Sequence, residues 1–514
     1  MKYFKSIFFF FIISSGISAQ APSIQWQKAL GGNSWDQAHS VLQTSDGGYI
    51  MAGESSSANG DVTINHGTAD FWIVKLNTSG AIQWQKSLGG TLDDVANSIQ
   101  QTSDGGYIIA GASSSTNGDV TVNHGYSDYW IVKLDSSGNI QWQKSLGGNK
   151  EDIAHSIQQT SDGGYIIAGE SYSTDGDVTV NHGYSDYWIV KLDTSGSMQW
   201  QKSLGGSSYD RARSVQQTSD GGYIIAGGSL STDGDVTGNH GQEDFWIVKL
   251  DSSGNIQWEK SLEGNLADFA ESIQQTSDGG YIVAGGSNSV NSEIPVTFGI
   301  SNYRVAKLDS DGNMLWQRYF GGSGNDYPNS IQQTSDEGYI VAGGAASLDG
   351  NITGNHGLVD YWIIKLDSSG NMQWQKSLGG SQFDETHSIQ QTSDGGYILA
   401  GMTASADGDI TGYHGDGDAW IVKLNAKQLS TAENHLGNKP AVYPNPAKDF
   451  VYISPLHGET TISITDMTGR KLFAQKYNDQ KAAINVRQFT TGTYFIQVMH
   501  EDKIIVSEKL LISK

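Results

Sequence analysis

Apolar and polar positions alternate in four short runs that recur along most of the chain. In one copy, Ala96 to Thr102 (ANSIQQT) meets Tyr107 to Ala112 (YIIAGA) across the turn SDGG, which predicts a hairpin. A second hairpin is predicted where Tyr129 to Asp135 (YWIVKLD) turns through SSGN into Ile140 to Leu146 (IQWQKSL). We label the four strands a, b, c and d. Strand c is apolar on both faces, with Trp130, Val132 and Leu134 on one and Tyr129 and Ile131 on the other, as a strand between two neighbouring sheets requires. Strand d sets Ile140, Trp142 and Leu146 against Gln141, Gln143 and Ser145, the pattern of an outer strand that partly faces water. Strand a is small and polar, which suits the innermost place beside a wet channel.

The pattern keeps strict step. Trp26, Trp84, Trp142, Trp200, Trp258, Trp316 and Trp374 follow one another at 58 residues without insertion or deletion. A second series, Trp72, Trp130, Trp188, Trp246, Trp362 and Trp420, is broken only by Arg304. Such a period marks a repeat architecture, and four strands taken seven times predict a seven-bladed β-propeller. The array opens on a lone strand d, Ile24 to Leu30, and closes on a strand c, Ala419 to Asn425, so the first strand supplies what the last blade lacks. Sealing the ring in this way removes the free sheet edges. With YIIAG, the DxWIVKLD run and the Trp of strand d in this order, residues 24–425 resemble the β-propeller repeats of secreted bacterial proteins and, more distantly, kelch blades. The resemblance implies a fold; propellers serve many unrelated functions.

Composition refines the picture. The 65 Gly and 7 Pro fit tight turns between many strands, and 14 Trp with 23 Tyr supply flat side chains for packing sheet on sheet. The formal charge is −24, and −26 once a leader carrying Lys2 and Lys5 is removed. Nucleic acid is thereby disfavoured as a partner, and cations or basic surfaces are favoured. The absence of Cys excludes disulfides, thiolate metal sites and Cys nucleophiles. Residues 1–19, two Lys followed by the apolar run Ile7 to Ile13 and small residues near Ala19, read as a cleaved export signal, with a membrane anchor as the alternative.

Beyond residue 425 the repeat is lost. Residues 426–440 read as a polar linker, and 441–514 carry short β-rich runs that predict a small Ig-like β-sandwich. Three segments stand out: YPNPAKD with Tyr443, Pro444, Asn445 and Pro446, ITDMTGRKL with Gly469 and Arg470, and TTGTYFIQV with Gly492 and Tyr494. In order and spacing they resemble the type A C-terminal sorting domain of the type IX secretion system. That resemblance implies a Gram-negative, Bacteroidota-like cell, periplasmic transit, passage across the outer membrane by the type IX machinery, and release or surface attachment.

Candidate chemistry lies in the longer connections, d to a and b to c, which share one face of the ring. The b-to-c loops repeat Asp61, Asp119, Asp177, Asp235 and Asp409, with Glu293 and Asn351 at equivalent points. They repeat His66, His124, His182, His240, His356 and His414, with Phe298 in blade five. Just before strand c come Asp70, Asp128, Asp186, Asp244, Asp360 and Asp418, with Asn302 in blade five. The d-to-a connections contribute Asp36 and its six equivalents. These groups are candidate ligand contacts, and the Asp61- and Asp119-type loops are candidate Ca²⁺ sites, since hard cations take carboxylate oxygens. The competing reading is loop chemistry: Asp and Asn accepting backbone N–H groups, and NHG forming a turn. The Asp of SDGG reads as turn chemistry. Blade five, with Glu293, Pro295, Phe298, Asn302, Tyr303 and Arg304, is either a specialised site or a drifted copy.

Seven near-copies offer like groups, whereas an active site needs unlike ones, and no GxSxG, HExxH or P-loop pattern occurs. The sequence therefore points to a secreted or surface-displayed binding propeller that meets a glycan or surface protein through its long-loop face. An exported polysaccharide hydrolase or lyase and a structural surface-layer component are the alternatives.

Overall fold

The computed structural model describes residues 20–240, 242–262, 264–289, 299, 301–426, 440–456, 458–467, 469–500 and 503–514. The expected leader, most of the linker, and Glu293, Pro295 and Phe298 lie outside the described residues. The chain divides into two compact units, Met1–Lys427 and Gln428–Lys514.

In the first unit, the described residues form seven four-stranded antiparallel sheets and no helix. The first blade takes strand a from Asp36–Gln43, b from Tyr49–Ser55, c from Asp70–Leu76 and d from Ile82–Leu88, and later blades repeat this order. Strands a, b and c of the seventh blade are Asp384–Gln391, Tyr397–Thr403 and Asp418–Leu424. Its strand d is Ile24–Leu30 from the start of the chain, with Ala29 opposite Trp420, so the ring closes as the offset of the repeats predicts.

Burial follows the predicted roles. Every strand c is buried along its length, and the side chains of strand d are largely half-buried or exposed. The strand-c aromatics lock neighbouring blades: the Tyr129 ring lies 4.6 Å from Trp188 and its hydroxyl donates to the Trp188 carbonyl at 2.9 Å. On the short-turn face each strand-d Trp meets the Tyr opening strand b of the next blade edge-on, as Trp84 meets Tyr107 at 5.9 Å. Trp84 also covers Gly138, whose φ of +80° suits the c-to-d turn and where a Cβ would lie 2.9 Å from the indole.

A buried lysine joins strand c to the a-to-b turn. Lys75 Nζ donates to Asp46 at 2.9 Å and to the Leu76 carbonyl at 3.2 Å, and all seven blades repeat the ion pair. The SDGG aspartate therefore does more than shape its turn, where it accepts from Gly48 N–H at 2.9 Å.

In the second unit, strands Ala441–Tyr443, Phe450–Ser454 and Ala482–Asn485 make one sheet. Strands Lys471–Tyr477, Thr460–Asp466, Gly492–His500 and Lys503–Ile512 make the other. Val451, Ile453, Ile462, Ile464, Ile484, Ile496 and Val498 from both sheets share one core, as a sandwich requires.

Candidate functional site

The three loop series expected to face a ligand are engaged with their own backbone. Asp61 Oδ2 accepts from Gly31 N–H at 3.3 Å, and Asp119, Asp177, Asp235 and Asp409 repeat the bond on Gly89, Gly147, Gly205 and Gly379. His66 Nδ1 lies 2.7 Å from Asp70 Oδ2, which also accepts the His66 N–H at 2.9 Å. The His–Asp pair recurs at His124 and Asp128, His182 and Asp186, His356 and Asp360, and His414 and Asp418, and the backbone bond from His240 to Asp244 completes the series. These aspartates are fully buried, while the imidazoles keep about a third of their surface in solvent. Each pair is a latch that folds the NHG turn onto strand c. Among the described residues, no group of three or more Asp, Glu or His is arranged to hold a metal ion.

The d-to-a aspartates are buried as well. Asp36 accepts from Gly32 N–H at 2.7 Å and from the hydroxyls of Ser55 and Ser57. Burial raises its pKa, and it pushes Asp152 up to about 6.

The described blade-five residues Tyr303 and Arg304 lie inside the ring. Tyr303 is fully buried and donates to the Trp362 carbonyl at 3.0 Å, as Tyr129, Tyr187 and Tyr361 do in their blades. Arg304 is 1% exposed in the slot that Trp fills elsewhere. Its guanidinium lies over Phe245 at 5.0 Å, donates to the Leu262 carbonyl and to Gln317, and sits 3.7 Å from Asp268. Neither side chain reaches solvent.

Unlike groups converge somewhere else, at the channel mouth on the long-loop face. The second and fourth positions of strand a project there, and they differ from blade to blade. The second positions are Gln37, Val95, Ile153, Arg211, Phe269, Tyr327 and Glu385; the fourth are His39, Asn97, His155, Arg213, Glu271, Asn329 and His387. Arg211 Nε pairs with Glu170 at 3.1 Å, Arg213 lies 2.9 Å from His155, and His155 lies 3.5 Å from Glu170. On the other side Asn329 donates to Glu385 at 2.8 Å, and Gln37 lies 2.6 Å from His387. Tyr184 stacks on Tyr209 at 4.9 Å, and Arg211 covers Tyr209 at 5.1 Å, making an aromatic and cationic wall above the charged tier.

This crowding perturbs the titratable groups. Burial lowers His155 to about 4, helped by the positive charge of Arg213, and lowers His387 to about 3. Burial raises Glu271 to about 7, opposed by Arg213 and reinforced by Glu243 and Glu385. Perturbed groups of unlike kind gathered in one place make the channel mouth a candidate functional site. A sequence signal existed: these are variable positions inside an otherwise uniform strand.

In the second unit the three segments of the tail have structural roles. Asn445 clamps the last strand, donating to the Lys509 carbonyl at 2.7 Å and accepting from Leu511 N–H at 2.8 Å. Gly469 takes φ +83° in a turn where Arg470 pairs with Asp466 at 3.1 Å. Gly492 opens the strand holding Tyr494, whose hydroxyl donates to the Thr490 carbonyl at 2.9 Å. Tyr443, Pro444 and Pro446 lie in and just after the first tail strand.

Residues 441–513 match the secretion system C-terminal sorting domain family. The chain is thus marked for the type IX secretion machinery, and for release or attachment at the outer surface. It is 26% identical over 389 residues to the regulatory protein FlaEY of Caulobacter vibrioides, a match covering 70% of this chain and 39% of that one. Among solved structures, PorZ, a surface component of the type IX secretion system of Porphyromonas gingivalis, aligns with 86% of this chain and 63% of its own at 13% identity and a TM-score of 0.30. The Pan2 WD40 domain of Neurospora crassa aligns with 78% of this chain and 95% of its own at 11% identity and a TM-score of 0.44.

Proposed function

We propose that the protein is an exported recognition module whose propeller engages a glycan or a surface protein at the mouth of its channel. In this reading residues 1–19 are a cleaved export signal, 426–440 a linker and 441–514 the sorting domain. The observation that carries it is the divergence of the second and fourth strand-a positions, which gather Arg, His, Glu and aromatic groups on the axis while the loop aspartates are held by their own backbone. Aromatic and Arg groups at the rim of a polar funnel are the composition of binding hot spots.

The test compares the full mature chain with its Tyr209→Ala/Arg211→Ala variant on a glycan array and on outer-membrane surface proteins of the producing cell. The reading expects binding that drops at least tenfold in the variant; equal binding by both proteins overturns it. One observation favours a hydrolase or lyase as a second reading: Glu271, raised to about 7, is poised to exchange a proton near neutral pH. Release of oligosaccharide by the wild type and its loss in Glu271→Gln would establish that activity.

A further inference from the structure

At the opposite end of the channel, on the face of the short turns, the seventh position of strand a is Gln100, Gln158, Gln216, Gln274, Gln332 or Gln390, with Leu42 in blade one. These residues, with the Ile and Val beside them, line a cavity of about 290 Å³ on the axis. Each Gln has one job already. Its Oε1 accepts the backbone N–H of the last strand-a residue in the next blade: Gln217 on Gln158 at 2.5 Å, Gln275 on Gln216 at 2.6 Å, Gln333 on Gln274 at 2.6 Å, Gln391 on Gln332 at 2.7 Å and Gln43 on Gln390 at 2.6 Å. Gln159 on Gln100 is the sixth.

A backbone N–H can only donate, so the oxygen of each amide is identified and the nitrogen is the end left over. Among the described residues no acceptor takes the Nε2 hydrogens of these six glutamines. The cavity is therefore lined by six amides whose oxygens each already hold one N–H and whose nitrogens have no acceptor among the described residues, and no charged side chain lines it. The a-to-b turn carboxylates beside the cavity, typified by Asp46 and Asp104, are each paired with a buried lysine at 2.9 Å, while the c-to-d turn aspartates such as Asp135 and Asp193 remain partly exposed on the same face.

We infer that the glutamine ring is a binding site for a compact anion that accepts hydrogen bonds and donates none, such as a halide or sulfate. A ring of N–H donors at an open-mouthed cavity offers such a ligand hydrogen bonds from several blades at once, with no charged side chain lining the cavity to repel it. The site is separate from the channel mouth, and its six-membered pattern leaves a gap at Leu42.

Leu42 also supplies the control, because it establishes that the position accepts Leu within an intact blade. The test titrates sulfate into the full chain by calorimetry at constant ionic strength, and repeats it with Gln158→Leu/Gln274→Leu/Gln390→Leu. Circular dichroism and the thermal midpoint without sulfate verify that the variant folds. The inference expects saturable binding that weakens at least tenfold in the triple variant and tightens in Leu42→Gln. Bromide-soaked crystals are expected to give an anomalous peak on the axis within hydrogen-bond distance of the amide nitrogens. Water alone at that position, no saturable heat in the wild type, or equal binding by wild type and triple variant overturns it.

Discussion

The backbone N–H of Ser393, in the seventh blade, donates to Gln43 Oε1 of the first at 2.8 Å. Ser45 to Gln101, Ser103 to Gln159 and Ser161 to Gln217 have that same length at three interior interfaces. The interface between the last and the first blade is therefore built like any other. Together with the oxygen-accepting glutamines one position earlier, these bonds satisfy inner-edge N–H groups that would otherwise face the channel.

The lysine clamps predict a specific loss of stability. Asp104→Asn removes the counter-charge from Lys133, which is 3% exposed and keeps only the Leu134 carbonyl and Gln141. The expected cost is about 2 kcal/mol, the usual worth of a hydrogen bond to a charged group. Urea unfolding of the variant measures it, and an unchanged midpoint contradicts the clamp.

Blade five predicts the opposite sign. Arg304→Trp restores the residue that fills this slot in the other blades and removes a buried cation 3.7 Å from Asp268. Asp268 is then left as the equivalent aspartates of the other blades are, buried without a cation and held by hydroxyl and N–H donors. The usual cost of orphaning one partner of an ion pair is therefore not expected, and the regained Trp packing sets the sign. The thermal midpoint is expected to rise, and a lowered midpoint would mean that the arginine does more than occupy the slot.

Gly138→Ala is expected to destabilise the protein by more than about 1 kcal/mol through the left-handed backbone alone. The added Cβ would also press on Trp84 at 2.9 Å. Gly105, also at positive φ but with nothing within 4 Å, is the control: Gly105→Ala carries the backbone cost without the contact. Denaturant midpoints of the two variants separate the terms.

The pH dependence of stability follows from two opposed sets of carboxylates. Burial raises the folded pKa of Asp36, Asp94, Asp152, Asp210, Asp326 and Asp384, and of the strand-c aspartates such as Asp70 and Asp128. The folded state then binds protons more readily than the unfolded state, so stability falls as pH rises from about 4, the ordinary Asp value, to about 6. For Asp46, Asp104, Asp162, Asp220 and Asp278, hydrogen bonds and the nearby lysine outweigh burial and hold the folded pKa at about 2. Their contribution is present above about 4 and lost as pH falls through 2. His155 and His387, depressed to about 4 and about 3, lose stability on acidification below about 6.5, but they are two groups against the far more numerous buried aspartates. The thermal midpoint is expected to rise from pH 7 to about pH 4 and to fall below it.

The ring was legible in the sequence because its signals are local or strictly periodic. Trp84 and Trp142 set the count, strand d announces itself by alternation and strands b and c by apolar runs between turn residues, and Ile24 to Leu30 lies one strand out of phase with Ala419 to Asn425. The channel mouth was hidden because its members are remote along the chain. Arg213 meets His155 from 58 residues away and Gln37 meets His387 from 350, and only closure brings them together. The Asp61 and His66 series looked like ligand groups because polar loop residues repeat there, yet repetition also marks a latch, which six of the seven blades carry. Arg304 stood out as a break in the Trp series, and only packing reveals that it points inward.

Closure of the ring is tested most directly at the seam. Asn425 Nδ2 donates to Ser23 Oγ at 3.0 Å on the surface, and the Asn425 N–H donates to the Ser23 carbonyl at 3.0 Å. The chain has no cysteine, so Ser23→Cys/Asn425→Cys introduces the only pair. Under mild oxidation a closed ring gives a monomer with an internal disulfide, seen as faster migration without reductant and a raised thermal midpoint. Free thiols, or disulfides formed only between molecules, would contradict it.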